Sequence, residues 1–120
     1  MIAYVEDRLP AAPGAVPLAR HAVAVALLTE VSEQVLDDIL LLSTEAVSHA
    51  LRVTDQPWRL RVDVEDRVVR VTVRFEPTID LEDPYAELQH LLFEGLSSTW
   101  SADGSTLFFE VEREPRTLVA

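Results

Sequence analysis

With 120 residues, 48% of them hydrophobic and 26% charged, the chain suits one globular domain over residues 1–120 and leaves little room for a second. Ten basic against twenty-one acidic residues give a formal charge of -11, which disfavours DNA, RNA and anionic lipid as unassisted partners and favours a neutral or basic one. Cysteine, lysine and asparagine are all absent, so every basic residue is an arginine, and thiol chemistry, zinc-thiolate sites, disulfides, Schiff bases and a phosphate-loop lysine are excluded. The three glycines, Gly14, Gly95 and Gly104, make no GxG or Walker-type pattern. The longest apolar run, residues 22–28, is far shorter than the roughly 20 residues of a membrane span. Residues 1–10 carry Glu6 and Asp7 instead of the basic-then-apolar pattern of a secretory signal, so a cytoplasmic location is expected.

Residues 2–9 read as a short strand. Pro10, Pro13, Gly14 and Pro17 then punctuate the chain before an alanine-rich helix over residues 18–28, with Pro17 in its first turn. Ser32 is the expected N-cap of a second helix running from about Glu33 to Arg52, whose apolar stripe is Val35, Ile39, Leu42, Ala46 and Ala50. From Trp58 the period changes to two. Trp58, Leu60, Val62 and Val64 alternate with charged residues, and after Asp66 and Arg67 a second alternation sets Val69, Val71, Val73 and Phe75 opposite Arg70, Thr72, Arg74 and Glu76. This predicts an antiparallel hairpin with one buried face, ended by Pro77. Asp83 and Pro84 would start a third helix with the stripe Tyr85, Leu88, Leu92 and Leu96; a turn at Ala102, Asp103 and Gly104 then leads to a last strand over residues 106–112. The expected fold class is α+β: a two-layer α/β sandwich, its sheet mixed but mostly antiparallel, with the helices on one face and the arginines and acids on the other.

In this order, certain residues resemble a known family. Ala19-Arg20-His21-Ala22-Val23 lies on the first helix, and Thr44-Glu45-Ala46-Val47-Ser48-His49-Ala50-Leu51-Arg52-Val53 on the second. Trp100-Ser101 and Gly104-Ser105-Thr106-Leu107-Phe108-Phe109-Glu110-Val111 follow near the end. Together they resemble the GHKL ATPase fold in its small form, the anti-sigma factor and serine-protein kinase family common in actinomycetes. The resemblance spans most of the chain and implies a GHKL, or Bergerat-like, sandwich.

The departures fall where that resemblance implies nucleotide chemistry. The family asparagine that holds magnesium is His49 here, and neutral imidazole is a poor ligand for a hard cation that prefers oxygen. The family aspartate that reads the adenine amino group aligns with Phe75, followed by Glu76-Pro77, and the lid glycine aligns with about Gln89. Phe75 shares the inward parity of Val69, Val71 and Val73. A buried phenyl there would fill the cavity and stabilise by about 1.5–3 kcal/mol. Moving the register by one to bring Glu76 inward would turn every valine of the strand outward.

Glu45 is the residue that the resemblance implies as general base, and with His49 four positions later it shares a helical face. The alternative is a polar pair lining a vestigial cleft, which loss of the other nucleotide contacts favours. His21 and His90 read as surface or cleft-edge residues, and no spacing of metal ligands surrounds them. Arg20 aligns with the partner-facing surface of the family's first helix; its other reading is an exposed salt-bridging arginine of little energetic weight. On the partner reading, its removal would weaken capture of a partner and leave the melting temperature nearly unchanged. Arg59, Arg61, Arg70 and Arg74 make an outward ladder, interleaved with Asp63, Glu65, Asp66 and Glu76, that reads as a cross-strand charge lattice.

Three functions follow as expectations. The first is a non-catalytic regulator that has lost ATP binding, needs no cofactor or metal, and binds a protein partner such as a sigma factor, a STAS-type antagonist or a related regulator. The second is an active ATP-binding anti-sigma serine kinase with an atypical pocket, against which stand the missing asparagine, Asp-x-Gly pair and glycine lid. The third is a structural subunit that pairs with a catalytically intact homologue, with homodimer formation through an open sheet edge as a variant.

Overall fold

The computed structural model describes residues 3–79 and 90–114. Along the chain it contains β1 (Ala3–Leu9), α1 (Ala15–Leu27), α2 (Glu33–Val53), β2 (Trp58–Val64), β3 (Val68–Arg74), α3 (His90–Leu96), β4 (Thr99–Ala102) and β5 (Thr106–Glu112). The five strands form one sheet in the order β1-β2-β3-β5-β4. Every pairing among the described strands is antiparallel, so the expected admixture of parallel pairs is not found. The α+β class and the two-layer arrangement are as the periodicity predicts. No helix of the described residues is long and apolar enough to cross a membrane.

The core lies between the helices and one sheet face. Alternation sends Trp58, Leu60, Val62 and Val64 of β2 inward, with Val69, Val71 and Val73 of β3 and Leu107, Phe109 and Val111 of β5, and all of them are buried. Against them pack Val35, Ile39, Leu42, Ala46, Ala50 and Val53 of α2. Ser32 starts that helix as expected, its hydroxyl accepting from the Val35 amide at 3.3 Å. Trp58 is sealed at the sheet end by donating its indole N–H to the Pro10 carbonyl at 3.0 Å.

Two expectations need correction. Helix α1 begins at Ala15, three residues before the predicted start, because a proline at the third position removes an N–H that has no intrahelical partner in the first turn anyway. The gain is a four-residue stripe of buried Ala15, Ala19, Val23 and Leu27. Thr99–Ala102, read as part of a helix-to-turn passage, is the edge strand β4. Three small or polar residues around Trp100 carry too short an alternation to be seen; pairing with β5 makes the strand, placing Trp100 opposite Phe109. The turn itself is as predicted: the Asp103 carboxylate accepts from the Ser105 and Thr106 amides at 2.8 and 2.7 Å. The expected helical start at Asp83 and Pro84, with Tyr85 and Leu88, lies outside the described residues.

Candidate functional site

The inner stripe of α2 carries His49 toward the sheet. It sits among Ala46, Ala50 and Val53, and its side chain is 1% exposed. Glu45, one turn earlier on the same face, is half-buried. From the sheet, Phe75 reaches the same place. Strand β3 ends at Arg74, but the Phe75 amide still donates to the Ser105 carbonyl at 3.0 Å, so the inward parity persists and Phe75 is buried at 6% exposure. Its ring meets the imidazole edge to face, with centroids 6.0 Å apart and planes at 74°. Such a pair adds about 0.5–1.5 kcal/mol beyond simple burial.

This setting determines the electrostatics of His49. Burial pushes its pKa down to about 4, and the positive charge of Arg52 acts in the same direction. At neutral pH the imidazole is therefore uncharged and carries no positive charge toward a phosphate. Beyond Phe75 the chain folds back on the end of α2. The Thr78 and Ile79 amides donate to the Val53 carbonyl at 2.9 and 3.1 Å. The Thr78 hydroxyl accepts from the Asp55 amide at 2.8 Å and donates to the Asp55 carboxylate at 2.7 Å. These bonds satisfy the terminal carbonyl of the helix and tie down the segment that follows Phe75. Gln89, the lid position, lies outside the described residues.

Arg20 stands apart from this contact. Its guanidinium donates from Nη1 to the Thr44 hydroxyl at 2.7 Å and to the Leu40 carbonyl at 3.4 Å, while Thr44 itself donates to that carbonyl at 2.9 Å. Among the described residues no carboxylate pairs with it. Arg20 is exposed yet ties α1 to α2, so Arg20→Ala is expected to cost about 1 kcal/mol, read as a lower urea midpoint. The near-neutral effect on stability expected from sequence does not follow from this geometry. Thr44, its acceptor, lies inside the quoted helix-two run but carried no signal of its own.

No model of a known protein family and no curated protein matches the chain.

The remaining candidates are dispersed. His21 is exposed, and His90, also exposed, sets its ring edge-on to Trp100 at 5.3 Å. Among the described residues no three His, Asp or Glu side chains gather to hold a metal ion. Helix α1 turns an apolar stripe outward: Leu18, Val25 and Leu28 are 52%, 63% and 72% exposed. At 100° per residue Leu18 and Val25 lie nearly opposite Arg20 around the helix, and Leu28, the C-cap residue, lies roughly a quarter-turn from it.

The outer sheet face carries part of the expected charge lattice: Arg59, Arg61 and Arg70 are ion-paired, with Asp63 as expected and with Glu6 and Glu110, which sequence alone did not single out. Arg61 donates from Nε to both oxygens of Asp63 at 3.0 Å and lies 3.7 Å from Glu6, which is also 3.6 Å from Arg59. Arg70 bonds Glu110 from Nε at 2.9 Å. The Arg61 and Arg70 guanidinium carbons stand 4.8 and 5.0 Å above the rings of Tyr4 and Phe108.

Proposed function

We propose that this protein is a non-catalytic, GHKL-like regulatory domain that does not bind ATP and works by binding another protein, in a partner-switching pathway of the sigma-factor and anti-sigma type. One observation carries this reading: the two positions that the family resemblance assigns to magnesium and to adenine, His49 and Phe75, touch each other in the core. An imidazole held neutral by burial, closed by a phenyl ring, leaves neither an oxygen ligand for magnesium nor a carboxylate for the adenine amino group. Nothing in the reading requires a transferred phosphoryl group.

The exposed stripe Leu18, Val25 and Leu28 on α1 supports a protein partner. An apolar helix face left in water is a typical feature of a docking surface. The net charge of -11 favours a partner with a basic or neutral contact surface, such as a sigma factor, a STAS-type antagonist or a related regulator.

Isothermal titration with Mg-ATP and Mg-ADP tests the loss of nucleotide binding. The expected result is no heat and no ligand-dependent rise in melting temperature. Saturable micromolar binding would overturn it in favour of an ATP-binding serine kinase using Glu45 as base, and Glu45→Gln would then abolish phosphoryl transfer.

A further inference from the structure

The outer sheet face holds an arrangement that the charge lattice does not account for. The register places Arg8 directly opposite Arg59, and Arg59 directly opposite Arg74, so three guanidinium-bearing residues stand in one row across β1, β2 and β3. Thr106 of β5 continues the row beside Arg74. Side chains directly opposite on neighbouring strands have Cβ atoms about 4.5–5.5 Å apart, and like charges so placed repel.

The nearby carboxylates do not neutralise this row. Glu6 is divided between Arg59 and Arg61 at 3.6 and 3.7 Å, and Asp63 is engaged by Arg61. Glu110 belongs to Arg70. Asp7 and Glu76 border the row at its two ends, yet among the described residues no carboxylate comes within ion-pair distance of Arg8 or Arg74. Arg59 lines one shallow cavity of about 360 Å³ together with Arg74, Thr72, Arg61 and Arg70 and with the acids Glu6, Asp63 and Glu65, and another of about 400 Å³ together with Arg8, Glu6 and Asp7, so an anion seated there is held on the arginine side of a mixed surface. A row of like charges at the mouth of two adjoining cavities is the arrangement of a site that an anion completes.

We propose that Arg8, Arg59 and Arg74 bind a phosphoryl group, with Arg59 at the centre. The chemistry selects this class of ligand. A guanidinium presents a planar fork of N–H donors that matches two oxygens, and a tetrahedral dianion offers enough oxygens for two forks, whereas one carboxylate fills only one. The net charge of -11 repels an extended polyanion but not a single anionic group seated within a local cluster of positive charge. The free phosphate ion and a phosphorylated side chain of another protein share this chemistry. The site is separate from the His49–Phe75 contact, which lies on the other side of the sheet.

The test is a titration with sodium phosphate, followed by the Nε–H NMR resonances of the arginines and by melting temperature, with sodium chloride at matched ionic strength as reference. A phosphoserine peptide with neutral flanks and its unphosphorylated counterpart run in parallel. Expected are saturable shifts with phosphate beyond those with chloride, and affinity reduced about tenfold or more in Arg59→Thr and Arg74→Thr. Threonine suits an exposed strand position, and in phosphate-free buffer Arg59→Thr is expected to melt no lower than the parent because the repulsion is relieved. Arg67→Ala, outside the row, is expected to bind as the parent does. Tighter binding of the phosphopeptide than of phosphate assigns the source to a protein side chain, and the reverse assigns it to the free ion. Equal responses to phosphate and chloride, or unchanged phosphate binding in both threonine variants, would overturn the site.

Discussion

Phe75→Ala is expected to destabilise the fold by about 3–5 kcal/mol, the range for removing a buried phenyl whose surroundings close only partly. Phe75 is at 6% exposure, at the end of β3, with its ring edge against His49 and the segment behind it anchored to Val53 and Asp55. The substitution therefore removes core volume and also opens the imidazole to water. Urea unfolding of the parent, Phe75→Ala and Phe75→Leu would measure it. Leucine keeps most of the volume and is expected to recover more than half of the loss. If alanine cost less than about 1 kcal/mol, as expected of a surface position, the ring would not be filling core space.

The second large effect is a loss of stability in mild acid. His49 ordinarily titrates at 6.5 and is held down to about 4 in the fold by burial, with Arg52 adding to the effect. As pH falls below 6.5 the unfolded chain takes up a proton at this ring while the folded chain does not, so unfolding becomes progressively easier. The loss accumulates down to about pH 4, where the folded state protonates too and the contribution of this group levels off. A shift of that size corresponds to roughly 3 kcal/mol, at about 1.4 kcal/mol per pH unit. Asp55 and Asp103 act in a different window. Hydrogen bonds from Thr78 and Gln56 to the first, and from the Ser105 and Thr106 amides to the second, hold both below their ordinary value of 3.8, so what they add is lost only at more acid pH. Chemical unfolding at a series of pH values, on the parent and on His49→Leu, separates the contributions. The leucine variant is expected to lose the slope between pH 6.5 and 4 and to keep the steeper fall below it. An unchanged slope would mean that the ring is already protonated or solvated in the fold.

Both effects depend on one contact, and half of that contact was readable in the sequence. The inward parity of Phe75 follows from the valines that precede it, because a strand with one buried face tolerates no slip of register. The burial of His49 was not readable. A histidine four residues from a glutamate suggests a polar face, whereas α2 turns the imidazole inward with Ala46 and Ala50 and leaves Glu45 half-buried at the margin. Arg20 shows the same division. Its place on an exposed helix surface was expected, but its bond to Thr44 depends on how α1 packs on α2, two helices whose crossing neither sequence fixes alone.

The outer face makes the same point at longer range. Arg59, Arg61, Arg70 and Arg74 stood out from their alternation, and a lattice of opposite charges was expected around them. Arg8 did not stand out, because its position in the row depends on the pairing of β1 with β2, two strands separated by both long helices.

By itself the sequence determined the local elements: the Ser32 cap and apolar stripe of α2, the two-residue alternation of the β2–β3 hairpin, the Asp103 turn and the last strand. These rest on interactions between residues near each other in the chain, and such interactions leave a periodic trace. Only the tertiary structure decided that β4 is a strand, that His49 is closed by Phe75, that Arg20 ties two helices, and that Arg8, Arg59 and Arg74 stand side by side. Each of these depends on strand pairing or helix packing between distant segments, and the energy that selects it belongs to the contact and to neither segment alone.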